Sequence, residues 1–132
     1  MGANSFTETT CGKDAASAFA DAVREARHWN GHGGYTGTIA EKSSFRLVTL
    51  PPRVSAQKFL AWIWSSETGD LKGVPAKHRA AVKAAGEIAF QKWGPALAFE
   101  ITATAAKRDF KRRLGRAGTR DRVFVFTGLA SC

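Results

Sequence analysis

The sequence predicts an α+β fold, a single domain over residues 1–132 in which helices pack on a mixed or antiparallel sheet. A length of 132 residues and a hydrophobic content of 44% suit one globular domain with a real core. Apolar residues recur at helical spacing in some segments and alternate with polar residues in others. No segment repeats at a fixed period, which excludes solenoids and propellers. The predicted element order is β-α-β-β-α-α-β-α-β.

A strand and the clearest helix of the chain come first. Residues 5–10, SFTETT, alternate and are rich in threonine, as in a strand with one solvated face. Asp14 is a natural N-cap, and Asn30 with Gly31 supplies the left-handed stop that ends a helix. An apolar stripe at helical spacing lies between these ends: Ala15, Ala18, Phe19, Ala22, Val23 and Ala26.

Two strands and a short helix are predicted next. Residues 35–42, YTGTIAEK, and residues 44–50, SFRLVTL, read as strands separated by a turn. The Pro51–Pro52 pair ends this region because neither residue can donate to a sheet ladder. Ser55 can cap a helix over residues 55–66, where four apolar side chains share a face: Phe59, Leu60, Ile63 and Trp64.

Another helix and a strand occupy the middle of the second half. Pro75 suits the first turn of a helix predicted over residues 76–93, which the Gly94–Pro95 pair ends. Residues 96–102, ALAFEIT, alternate as in a half-buried strand.

The chain is predicted to finish with a helix and a central strand. Thr104 can cap a helix over residues 105–114, whose narrow apolar seam consists of Ala106, Phe110 and Leu114. Residues 122–130, RVFVFTGLA, are apolar on both sides, which is typical of a central strand.

The net charge of +9 is distributed unevenly. Residues 1–41 hold three basic and five acidic side chains, a balance of −2. Residues 42–106 hold nine basic and four acidic ones, a balance of +5. Residues 107–122 hold eight basic and two acidic ones, a balance of +6 in sixteen residues. Such polarisation points to a polyanionic partner, either nucleic acid or an acidic protein face.

The basic segment, residues 107–122, is the leading candidate site. An arginine-rich helix followed by a glycine-containing basic loop suits contact with a phosphate backbone. No motif for reading bases is present, and a solvated helix face is the structural alternative. The candidate binding residues are Lys107, Arg108, Lys111, Arg112, Arg113, Arg116 and Arg120.

The segment GHGGYTGTIAEK, residues 31–42, is the second candidate. Its backbone N–H groups could form an anion nest, with Gly33, Gly34, Tyr35 and Thr36 as the ligand loop. In a catalytic alternative, His32 acts as base, Tyr35 as acid, and Glu41 pairs with the histidine. However, the loop follows a helix C-terminus, whose partial negative charge repels anions. The favoured interpretation is therefore a structural helix-to-strand connection.

The sequence indicates no cofactor and no metal site. Cys11 and Cys132 are expected to be free thiols and lack the spacing of a zinc site. His28 and His32 are four apart, but the Asn30–Gly31 break interrupts the helical face that paired ligands need. No apolar run is long enough to cross a membrane, and no signal-peptide pattern is present, so a cytoplasmic location without membrane contact is expected.

Four tryptophans offer a third interpretation. Trp62 and Trp64 lie about 200° apart on an ideal helix, so at most one is expected in the core. The other would cover a loop, stack on a ligand or meet a partner, which allows for an oligomer or for an inhibitor that binds a host protein.

The strings GANSF, GKDAASAF and GHGGYTGTIAEK resemble short proteins of actinobacterial phages and mobile elements that share the last segment. KWGPALAFEI and VFVFTGLASC look like further shared blocks, whereas the middle and the basic segment look individual. The resemblance implies no activity and transfers no site residues. What it implies is context, since small proteins of this type often bind host proteins or nucleic acid instead of catalysing reactions. A small, basic, non-catalytic binding protein is the function expected from the sequence.

Overall fold

The computed structural model describes residues 2–31 and 36–132. In chain order, the helices and strands of this part are β1 (Ala3–Gly12), α1 (Ala15–Asn30), β2 (Phe45–Val48), α2 (Ala56–Ser65), α3 (Arg79–Ala89), β3 (Ala96–Ile101), α4 (Thr104–Arg113) and β4 (Arg122–Ser131). The predicted α+β class is confirmed, and so is a mixed sheet.

The sheet has the strand order β1-β4-β3-β2. β4 pairs antiparallel with both β1 and β3, while β2 runs parallel to β3. The parallel pair requires a long crossover, which α2 and α3 provide. β4 is central, as its two apolar sides predict, and β1 and β2 form the two edges.

Helices cover both faces of this sheet. Alternate residues of a strand face opposite sides, and β3 shows the division clearly. Ala96 and Ala98 belong to the core beneath α1, whereas Leu97, Phe99 and Ile101 pack with α2 and α3. Small side chains on the first face leave room for α1, and large ones on the other face fill the space beneath the other helices.

The predicted ends of α1 are confirmed. The Asp14 carboxylate accepts a hydrogen bond from the Ser17 backbone N–H at 2.7 Å, and this N-cap lowers the pKa of the Asp14 carboxyl. At the other end Gly31 has a φ of 80° and its N–H donates to the Arg27 carbonyl.

The strand predicted over residues 35–42 is wrong for the described part of that segment. Thr38 accepts a hydrogen bond from the Ala40 N–H and starts a 3-10 turn, Ile39–Glu41. Ile39 is fully buried in the core beneath α1. A single buried apolar residue that follows a threonine cap stabilises a turn better than an extended strand.

The helix predicted over residues 76–93 is shorter than expected. A 3-10 turn, Ala76–His78, precedes α3, which ends at Ala89. Beyond it the chain bends around the ammonium of Lys42, which is only 3% exposed. Three carbonyls accept hydrogen bonds from this group at 2.9–3.1 Å: those of Gln91, Lys92 and Gly94. Burial lowers the pKa of Lys42, and the three acceptors compensate for its lost hydration.

Thr104 does not cap α4 as predicted. Ala103 occupies the N-cap position without a side-chain hydrogen bond, and Thr104 is the first helical residue. The Ser55 cap of α2 is confirmed, since its hydroxyl accepts from the Lys58 N–H at 3.1 Å.

Candidate nucleic-acid interface

One face of α4 carries most of its charge. With 100° of rotation per residue, positions three, four, seven and eight beyond Thr104 fall on the same side of the helix. These positions are occupied by Lys107, Arg108, Lys111 and Arg112. The helix therefore presents four cations as a single stripe.

The opposite face of α4 attaches the helix to the core. Ala106 and Phe110 pack against the cluster that includes Phe99 and Val123. Leu114, predicted to complete this apolar seam, is instead 42% exposed. The seam ends one turn early because the chain leaves the helix at this residue.

The basic loop turns back through a Schellman motif. The Gly115 N–H donates to the Arg112 carbonyl and the Arg116 N–H to the Lys111 carbonyl, at 3.2 and 2.7 Å. Gly115 has a φ of 71°, which only glycine adopts without strain. The Lys111 ammonium also donates to the Thr119 carbonyl, so this side chain holds the returning loop against the helix.

A cavity of about 520 Å³ lies between the charged face of α4 and this loop. This volume is in the range of small-molecule binding sites. We call it the basic cavity. Its lining consists of four cations, two threonines and two small loop residues: Lys107, Arg108, Lys111, Arg112, Thr102, Thr104, Ala117 and Gly118.

Within the described residues, the cations of the basic cavity are weakly compensated. Arg108 is exposed and forms no ion pair. Lys107 is half-buried and forms no ion pair either, although its charge adds to the effect of Arg122 in lowering the pKa of the Glu100 carboxyl. Arg112 lies 3.9 Å from Asp109, at the limit of an ion pair, and both side chains are mostly exposed. Internal carboxylates therefore neutralise the positive charge of the cavity only in part.

The other predicted binding residues lie outside the basic cavity. The Arg113 guanidinium lies 5.5 Å from the centroid of the Phe110 ring, and Arg116 lies 3.5 Å from Asp121. Arg120 is exposed on the loop. Of the seven predicted binding residues, four therefore line the basic cavity and three lie elsewhere on the surface.

Arg116 belongs to a second cavity, of about 500 Å³, which it shares with α1. Asp21, Glu25 and His28 of α1 also line it, together with Cys11 at the end of β1. Burial raises the pKa of the Cys11 thiol, which makes it a poor nucleophile. Acidic and basic side chains are mixed here, so this cavity is a weaker anion site than the basic cavity.

Most of the glycine loop lies outside the described residues, including His32, Gly33, Gly34 and Tyr35. Thr36 and Glu41, which follow these residues and are described, are hydrogen-bonded to each other. The Glu41 carboxylate accepts from the Thr36 N–H at 3.1 Å and from its hydroxyl at 2.8 Å. These bonds direct the Thr36 donors to a carboxylate within the same turn. The ligand-loop and catalytic interpretations stay predictions.

Trp62 and Trp64 are both half-buried, so neither lies fully in the core. Trp62 stacks on His78 with ring centroids 5.5 Å apart, and Trp64 packs on Phe90 at 5.3 Å. The exposed tryptophans are Trp29 and Trp93, at 76% and 67%. Rotation on the helix did not identify them because both lie at or beyond a helix end.

Within residues 2–31 and 36–132, no group of three or more His, Cys, Asp and Glu side chains is placed to hold a metal ion. Cys11 is buried and Cys132 is exposed, and both are free thiols. None of the helices in the described part has the length and hydropathy of a membrane span.

Comparison with known proteins returned no match to a family model, a curated protein or a solved structure.

Proposed function

We propose that this chain is a small non-catalytic protein that binds nucleic acid by holding the phosphate backbone in the basic cavity. The single observation that carries this proposal is the convergence of Lys107, Arg108, Lys111 and Arg112 on one cavity. Among the residues that line it there is no carboxylate to repel an anion. Cations placed in this way bind phosphates and release their counterions.

The lining predicts how nucleic acid would be held. Two threonine hydroxyls and the close backbone of Ala117 and Gly118 add neutral groups to the cations. Such contacts fix a phosphate backbone in place without reading its sequence. No aromatic side chain lines the cavity, so base stacking is not expected there. Binding should therefore be independent of base sequence.

The resemblance to phage and mobile-element proteins is compatible with this role, and an acidic protein surface is the competing ligand. Both polyanions would be attracted by the same charge. They differ in geometry, because phosphates lie at regular spacing along a strand, whereas carboxylates on a protein surface do not.

Fluorescence anisotropy with labelled single- and double-stranded DNA and RNA tests the proposal, measured over a series of salt concentrations. We expect binding to several unrelated sequences with equal affinity, weakening steeply as salt rises. Polyglutamate of matched charge serves as the competitor. Displacement by polyglutamate as efficient as by unlabelled nucleic acid would favour an acidic protein partner. Absence of nucleic-acid binding at low salt would refute the proposal.

A further inference from the structure

The two edges of the sheet differ in their protection against pairing with another strand. β2 is four residues long, carries Arg46 and is followed by the Pro51–Pro52 pair. Short length, a cation and proline are the usual means of keeping an edge from pairing. β1 is ten residues long, contains no lysine, arginine or proline, and carries a single charge, on Glu8.

The peptide groups that point away from the sheet along β1 can be assigned. The Gly2 carbonyl accepts from the Cys132 N–H, so the peptide groups of even-numbered residues point toward β4. Those of Ala3, Ser5, Thr7 and Thr9 therefore point outward. β4 is the only strand in the described part of the chain that pairs with β1.

This outer edge is accessible over its first two thirds. Ala3, Asn4, Ser5, Thr7 and Glu8 are exposed. α1 covers Glu8 only in part, since Glu8 lines a cavity with Ala26 and Trp29. The other end is closed, because Cys11 and Gly12 are buried. The open length is therefore the part before Thr10.

We propose that two copies of this chain pair along the open edge of β1, antiparallel across a two-fold axis beside Phe6, to form a continuous eight-stranded sheet. The outward peptide groups belong to odd-numbered residues, so hydrogen-bonded pairs must join odd to odd. The open length from Ala3 to Thr9 is fully paired only when the axis passes at Phe6. Ser5 then lies opposite Thr7 of the second copy, and Ala3 opposite Thr9.

Side-chain chemistry favours a second copy as the occupant of this edge. In this register Glu8 lies opposite Asn4 of the second copy, a neutral hydrogen-bonding partner, and does not meet a like charge. Ser5 and Thr7 form a hydroxyl pair, one of the favourable combinations across an antiparallel ladder. The four cations of the basic cavity, which would repel their counterparts, share no lining residue with β1. Leu114 and Arg116 of the basic segment lie beside the far end of β1, at Thr10 and Cys11. The proposal is independent of nucleic-acid binding.

Sedimentation velocity in reducing buffer, from micromolar to millimolar protein, tests the pairing. We expect a reversible monomer–dimer equilibrium for the wild-type chain. Ser5→Pro removes one outward N–H and leaves the ladder to β4 intact, so it should remain monomeric at every concentration. Ser5→Ala keeps that N–H and is the matched control, expected to dimerise like wild type. A wild-type chain that is monomeric throughout, or a Ser5→Pro dimer, would overturn the proposal.

Disulfide trapping tests the register and does not depend on the proline variant folding. Asn4→Cys and Glu8→Cys are combined in a Cys132→Ser background, which removes the exposed native thiol. Positions 4 and 8 of different copies face each other as a non-hydrogen-bonded pair, close enough for a disulfide. Mild oxidation should yield a covalent dimer, and the Asn4→Cys variant alone should yield at least about tenfold less. Monomer alone, or equal dimer from both variants, would contradict the register.

Discussion

The basic segment contains two groups of cations that differ in their surroundings. Lys107, Arg108 and Arg112 line the basic cavity, where carboxylates are scarce. Arg116 and Arg122 are paired with carboxylates: Arg116 with Asp121, and Arg122 with Glu100 through two hydrogen bonds of 2.7 and 2.9 Å. The cations of the first group can bind an anionic ligand, whereas those of the second group already form ion pairs within the protein.

Charge density along the sequence therefore overstates the binding surface. The sequence predicts seven binding cations in this window of sixteen residues, but only four of them converge on the basic cavity. Two features make these four cations converge. Their helical spacing places them on one face of α4, and the Schellman turn brings the loop back against that face. Variants that remove one group of cations or the other test whether the two groups differ in binding.

The largest effect is expected from removing three cavity charges at once. Lys107→Ala, Arg108→Ala and Arg112→Ala together should weaken DNA binding on the order of a hundredfold at low salt, because three charge-assisted contacts are lost. The matched variant combines Arg113→Ala, Arg116→Ala and Arg120→Ala. It removes the same net charge and should weaken binding by less than about fivefold. Equal losses would show that total charge, and not the cavity, determines affinity.

Lys42 is the extreme case of a cation used inside the molecule. Lys42→Met should lower the free energy of unfolding by about 2 kcal/mol or more, because three carbonyls lose a charge-assisted donor. Urea unfolding measures this change. DNA affinity of the folded variant should stay within about twofold of wild type. A large loss of affinity with normal stability would place this region in the binding site.

Lys111 combines the two roles, since it lines the cavity and holds Thr119. Lys111→Met should therefore weaken DNA binding about threefold more than Arg108→Met, although each variant removes one charge. Hydrogen exchange of residues 114–121 should be faster only in the first variant. Equal affinities and equal exchange would mean that the loop is held by its own turn alone.

The smallest effect concerns the pair of Glu100 and Arg122. The hydrogen bonds from Arg122 lower the pKa of the Glu100 carboxyl below its ordinary value. A lowered folded-state pKa stabilises the protein above the unfolded-state pKa of Glu, about 4.3, and this contribution is lost as pH falls through the folded value. Glu100→Gln should accordingly melt slightly below wild type at neutral pH. Melting curves recorded toward lower pH should converge, and a constant gap would rule out this pair as the cause.

The sequence was informative wherever one local rule decided the outcome. The strand at β3 and the two caps of α1 follow from periodicity and from Asp14 and Gly31, and they are confirmed. The half-buried character predicted for β3 is wrong, because helices cover both of its faces. The segment around Ile39 was misjudged, because threonine favours strands on average but here caps a turn. The burial of Lys42 could not be predicted from the sequence, since the three carbonyls that accept its hydrogen bonds lie about fifty residues away along the chain.

For the candidate site, the sequence predicted the basic segment but not its division into two groups. The helical positions of Lys107, Arg108, Lys111 and Arg112 could have been placed on one face by counting. Gly115 directly after the helix is a recognisable Schellman signal. The cavity itself could not be predicted, because Ala117 and Gly118 meet the helix only through the return of the loop.

Whether the basic cavity holds the phosphates is best measured by the slope of log affinity against log salt concentration for one labelled DNA. It is measured for wild type, the triple cavity variant and the charge-matched outer variant. If the basic cavity holds the phosphates, the slope should fall by roughly three for the cavity variant and by less than one for the outer variant. Equal slopes for the two variants would contradict the account, because the phosphates would then be held by the whole basic surface and not by the cavity.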